Sequence, residues 1–139
     1  MSNARAVTDA TFATEVLASP RPVIVEYWAR WCGPCRMVAP VLESIAADLA
    51  GQIDLVAVDI DENPQAASDY GVLHVPTISV FAGGRVVKQV TGARSKSALL
   101  REFADVIRAG RYRRPAVLSR SRADGSCSSQ PEVRYTNSA

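Results

Sequence analysis

The chain has 139 residues, enough for one domain with a buried core. With 47% apolar and 22% charged residues it has the composition of a globular protein, and a net charge of +2 argues neither for nor against nucleic acid. The charge is uneven: residues 1–109 hold ten Lys/Arg against twelve Asp/Glu, whereas 110–139 hold six Arg against two acids. No apolar run is long enough to cross a membrane, and the first residues lack the pattern of a secretory signal. Three cysteines are too few for a secreted disulfide framework, so a reducing compartment, the cytoplasm, is expected.

In chain order, Thr8 is placed to cap a first helix, with Phe12, Val16 and Leu17 as its apolar stripe. Pro20 and Pro22 end it. Residues 23–29, β-branched and aromatic, read as a strand buried on both faces, which needs helices on both sides of its sheet. From Cys32 to about Ala50 the positions of Val38, Val41, Leu42, Ile45 and Leu49 predict a helix, kinked at Pro40 and stopped by Gly51. Residues 53–58 form a second buried strand, and 59–70 a polar, helix-like turn region containing Pro64. Residues 76–81 and 85–91 form two strands joined by a Gly83-Gly84 hairpin. Ser95 caps a last helix carrying Leu99, Phe103, Val106 and Ile107, and Gly110 is expected to end it. This order predicts an α/β fold with a mixed sheet. Beyond Gly110 the composition turns to Arg, Ser and Pro, so 110–139 is expected to be a disordered basic tail behind a 1–109 domain.

The chemistry concentrates in Trp31-Cys32-Gly33-Pro34-Cys35, between a buried strand and a helix. Two cysteines three residues apart lie one helical turn from each other, with Cβ atoms about 5–6 Å apart, so small adjustments close and open a disulfide. At the helix N-terminus the free N–H groups and the dipole favour a thiolate, which makes Cys32 the nucleophile. Cys35, inside the first turn, resolves the mixed disulfide. Pro34 suits the first turn, and Gly33 lets a partner chain come close. The competing reading, a structural pair or half a zinc site, lacks ligands: a zinc site needs two more, and His74 and Cys127 do not form a second pair at zinc spacing.

Set within residues 26–36, this pentapeptide closely resembles the active-site segment of bacterial thioredoxins. The similarity runs from about residue 5 to residue 109 and includes Pro40, residues 58–61, Val75-Pro76-Thr77, Gly84 and Gly92. The resemblance implies a thioredoxin fold of five strands and four helices and a protein-disulfide reductase. It implies no bound cofactor, with electrons arriving from NADPH through a thioredoxin reductase and passing to client disulfides. It also implies a cis Pro76 facing the cysteines, with the Val75 backbone, Thr91, Gly92 and Ala93 as client contacts. A Gly-Pro pair between the cysteines favours a reductase over the family's oxidants. An oxidant or isomerase would also need an export signal. A thiol-independent binding module is the other alternative, separated by whether Cys32→Ser loses activity.

Several residues carry two readings. Glu26 stands in an apolar strand six residues before Cys32, where the family usually has Asp. It is either a buried proton acceptor for Cys35 or a partly exposed carboxylate without a role. Trp28 is expected to pack beneath the helix, and Trp31 to lie beside the Cys32 sulfur as an apolar contact for partners. His74 is an exposed loop residue or a pH-sensitive tuner of docking. Arg36 either stabilises the thiolate or is simply solvated. Cys127 is an idle thiol or, across a flexible span of roughly 23 Å, a partner for Cys32. No interface pattern is evident, so a monomer is the default.

Overall fold

The computed structural model describes residues 4–112. They form β1 (Arg5–Ala6), a short π-helical turn (Ala13–Leu17), β2 (Val23–Trp28), α1 (Gly33–Asp48), β3 (Asp54–Asp59), α2 (Pro64–Ser68), β4 (Thr77–Ala82), β5 (Arg85–Thr91) and α3 (Lys96–Tyr112). The sheet order is β1-β3-β2-β4-β5. β1 and β2 run parallel to β3, β4 lies antiparallel to β2, and β5 antiparallel to β4. The expected mixed five-stranded sheet with four helical segments is therefore present.

The pleat of β2 sorts its side chains between two cores, because successive residues of a strand point to opposite faces. Val23, Val25 and Tyr27 join Phe12, Val16, Val56, Val58 and Phe81 on one face. Ile24 joins Val38, Leu42 and Ile45 of α1, Ile78 and Val80 of β4, and Leu99 and Phe103 of α3 on the other. Glu26 and Trp28 share the parity of Ile24, so they are directed to the α1 side. The first face also holds an aromatic trio: Phe81 lies edge-on to Tyr70 at 5.0 Å and to Phe12 at 5.5 Å.

Two expectations are corrected. The first helix is a π-helical turn, with Ala18 N–H donating to the Ala13 carbonyl at 2.9 Å. Thr8 caps the turn before it: Thr11 N–H donates to Thr8 Oγ1 at 3.2 Å and Thr8 N–H to Thr11 Oγ1 at 3.0 Å. The last helix does not stop at Gly110 but runs to Tyr112. A lone glycine weakens a helix by about 1 kcal/mol relative to alanine and need not end it. α1 likewise continues through Pro40. Gly83 and Gly84, at φ of 61° and 82°, supply the two left-handed positions of a tight hairpin turn between β4 and β5.

This topology gathers the site at one end of the sheet. The carboxyl ends of the parallel strands β2 and β3 lie there. Because β4 runs the other way, its start lies beside the end of β2, with Thr77 opposite Tyr27. The end of β5 follows, with Thr91 opposite Thr77. Four connections thus converge: 29–32, 60–63, 74–76 and 92–95.

Candidate active site

α1 begins where β2 has just ended, and Cys32 is its N-cap residue. The Cys32 Sγ accepts the backbone N–H of Cys35 at 3.1 Å, as a serine or threonine oxygen does at an ordinary helix start. Cys32 and Cys35 are joined as a disulfide, with Cα atoms 5.4 Å apart. Both residues are buried and pack with Ala29 against Trp28, Ile60 and Val75. Pro34 lies in the first turn of the helix, where an N–H has no partner to lose. A Cβ built on Gly33 would meet nothing within 4 Å, so the fold itself leaves the space above that residue open.

Glu26 is 1% exposed and lies in register between Ala57 and Ile78. Its Oε1 has no hydrogen-bond partner among the described residues. Burial, and secondarily the Glu43 carboxylate, push its pKa from 4.5 up to about 7. A cavity of about 410 Å³ is lined by Glu26 and Cys35, with Trp28, Ala29, Arg30, Arg36 and Ala39 completing its wall. The carboxyl thus faces the same space as the inner cysteine.

The remaining expected residues fall around this pair. Trp28 is half-buried against the cysteines. Trp31 is 67% exposed, and its indole Nε1–H donates to Asp61 Oδ2 at 3.0 Å. The Val75–Pro76 peptide is cis. The Pro76 carbonyl accepts the Gly92 N–H at 2.9 Å, which ties the 92–95 connection to the proline. Gly92 sits at φ 94°, and Thr91 is half-buried while Ala93 is exposed. His74 is exposed, with its carbonyl accepting Thr77 Oγ1 at 2.6 Å. Arg36 donates through Nη2 to the Arg30 carbonyl at 2.8 Å, fixing the start of α1 to the turn before it. Cys127 and the tail lie outside the described residues. Sequence reading took Ile60 and Asp61 only as part of the resemblance over residues 58–61 and gave neither a role. Ile60 packs on the cysteines and Asp61 holds Trp31, each reaching the motif from about thirty residues away.

Among the described residues no group of three or more His, Cys, Asp or Glu is placed to hold a metal ion. No helix there is long and apolar enough to cross a membrane.

Compared with known proteins, residues 3–105 match the thioredoxin family profile. The chain belongs to the thioredoxin family. It is 52% identical over 101 residues to a thioredoxin of Mycobacterium bovis, covering 73% of this chain and 87% of that one. It is 54% identical over 95 residues to a thioredoxin of Streptomyces clavuligerus, covering 68% and 88%. A bifunctional thioredoxin reductase/thioredoxin of Mycobacterium leprae is 50% identical over 101 residues, covering 73% of this chain and 22% of the longer relative. A thioredoxin with two cysteines joined across the first turn of a helix is a thiol-disulfide oxidoreductase. Its Cys32–Cys35 pair is the redox-active centre of a protein-disulfide reductase.

Proposed function

We propose that the reductase works through the following steps. The Cys32 sulfur of the disulfide accepts the Cys35 N–H at the positive end of α1, and in the dithiol form that same position holds it as a thiolate. Thioredoxin is itself the standard example of a Cys-X-X-Cys thiol whose pKa is lowered in this way. The thiolate attacks one sulfur of a client disulfide. A Cys32–client bond forms, the client S–S bond breaks, and the second client sulfur leaves as a thiolate. Cys35 then gives its proton to Glu26 and attacks the Cys32 sulfur. The Cys32–Cys35 bond forms and the remaining client sulfur leaves. Two electrons have passed from the dithiol to the client. The cavity shared by Glu26 and Cys35 has room for a bridging water to carry the proton.

Docking is assigned to the exposed Trp31 indole, the open surface over Gly33 and Pro34, the Val75-Pro76 backbone, and the 91–93 connection. An extended client segment pairs with Val75 as an added strand would. Trp28 and Pro40 are given supporting roles. Electrons return from NADPH through a thioredoxin reductase. The fused relative, named as both reductase and thioredoxin, supports that pairing. The protein is read as a cytoplasmic monomer whose 1–109 domain is sufficient for turnover.

The observation that carries this reading is the Cys32 sulfur capping the helix that also holds Cys35. The test is NADPH-dependent reduction of insulin disulfides with a thioredoxin reductase. Wild type and a chain ended after Tyr112 are expected to turn over, and Cys32→Ser is expected to be inactive. A folded wild type that does not turn over overturns the reading.

A further inference from the structure

Trp31 is 67% exposed, yet its indole is tethered: Nε1–H donates to Asp61 Oδ2 at 3.0 Å across thirty residues of sequence. The acceptor is itself anchored. Asp61 N–H donates to the Asp59 carboxylate at 3.0 Å, closing the turn beneath it. Ile60 N–H donates to the Trp28 carbonyl and Asn63 N–H to the Asp59 carbonyl, both at 2.9 Å. The Ile60 side chain packs on the cysteine cluster. The Asp61 carboxylate is therefore a fixed point, tied on one side to the end of β2 and on the other to the end of β3. An exposed tryptophan without such a partner has two side-chain torsions free to move. Ordering it on contact with a client would then be charged against binding.

We propose that Asp61 is a positioning residue that holds the Trp31 indole ready as a wall of the client-docking surface. The inference rests on the docking role given to Trp31 above. It concerns the hydrogen-bond acceptor at position 61 rather than the negative charge there. Asparagine keeps a carbonyl oxygen to accept the indole N–H, whereas alanine keeps nothing.

The experiment measures kcat and KM for insulin at saturating reductase in wild type, Asp61→Ala, Asp61→Asn, Trp31→Ala and the Trp31→Ala/Asp61→Ala double variant. Hydrogen exchange of the Trp31 indole N–H is followed by NMR alongside. Loss of one hydrogen bond that pre-orders a side chain is expected to raise KM about fivefold in Asp61→Ala, with kcat unchanged and the indole N–H exchanging faster. Asp61→Asn is expected to stay within about twofold of wild type, and the double variant to match Trp31→Ala. An unchanged KM in Asp61→Ala, with Trp31→Ala raised, overturns the positioning role and leaves the docking role of Trp31 standing. Asp61→Asn as impaired as Asp61→Ala also overturns it, because charge would then be what matters. An unchanged KM in Trp31→Ala overturns both readings.

Discussion

Glu26 is the residue at which fold and chemistry pull against each other. Its carboxyl is buried in the strand that leads to the cysteines, and burial holds its pKa near 7 instead of 4.5. Between those values the native chain binds a proton that the unfolded chain has released. Stability from this group is therefore complete below the lower value and is lost as pH rises through the upper one. Glu26→Gln removes the titration. Its stability relative to wild type is expected to rise by on the order of 3 kcal/mol between pH 4 and pH 9, measured by urea unfolding of the oxidised forms. A difference that stays flat with pH would mean that the carboxyl titrates normally. Sequence alone placed Glu26 near the motif through its spacing, but could not say whether it was buried. Its 1% exposure, in register between Ala57 and Ile78 of the neighbouring strands, decides that. The same residue-scale limit hid what Asp61 does: it was read as part of the resemblance, but its tie to Trp31 is made in three dimensions.

At the scale of elements, legibility followed the strength of the local pattern. β2, β3, β4 and β5 are runs of β-branched and aromatic residues, and α1 and α3 carry apolar stripes, so all six could be read to within a few residues. β1 could not be found from its residues: Arg5–Ala6 is two exposed residues long and becomes a strand only by pairing with Val56 and Ala57. α2 was legible as a polar, helix-like turn region but not with its bounds, because Pro64–Ser68 is held from outside. The Asp9 carboxylate accepts the N–H of Ala66 at 2.7 Å and of Gln65 at 3.2 Å, and Asp9 N–H donates to Asn63 Oδ1 at 2.9 Å. A side chain more than fifty residues distant thus serves the free donors of that helix start, as an N-cap would. Asp9→Ala is expected to lower stability by about 1 kcal/mol, and Asp9→Asn by less, read from the urea midpoint. No change in Asp9→Ala would show that water serves those donors equally well.

For the whole molecule, the site is held by its position at the end of a central strand sandwiched between two cores. Phe103 and Leu99 of α3 are fully buried in the core that also holds α1, so the helix that carries the cysteines is braced by α3 on the same face of the sheet. Phe103→Ala is expected to cost about 3–5 kcal/mol, read from the urea midpoint of the oxidised protein. A loss under about 1 kcal/mol would mean that α3 contributes little to this bracing. The convergence of four connections at one sheet end was legible only through resemblance, since it depends on β4 running against β2. The α3 boundary was misplaced because a helix braced on one face tolerates a glycine that looks like a stop.

The outer borders of the sheet have a different consequence. β1 offers two residues along one border. β5, at the other, carries Arg85 and Lys88, with Lys88 turned toward Asp105 of α3 at 3.4 Å, beside a register irregularity at Val80 and Phe81. Short, charged or irregular borders are poor templates for the addition of a further strand. A protein that binds extended pieces of other chains, as proposed above, risks being paired with in return and stacking into aggregates. Here both flanks of the sheet discourage such growth, which leaves the strand pairing proposed for the Val75 segment, next to the cysteine sulfurs, without a rival at the borders.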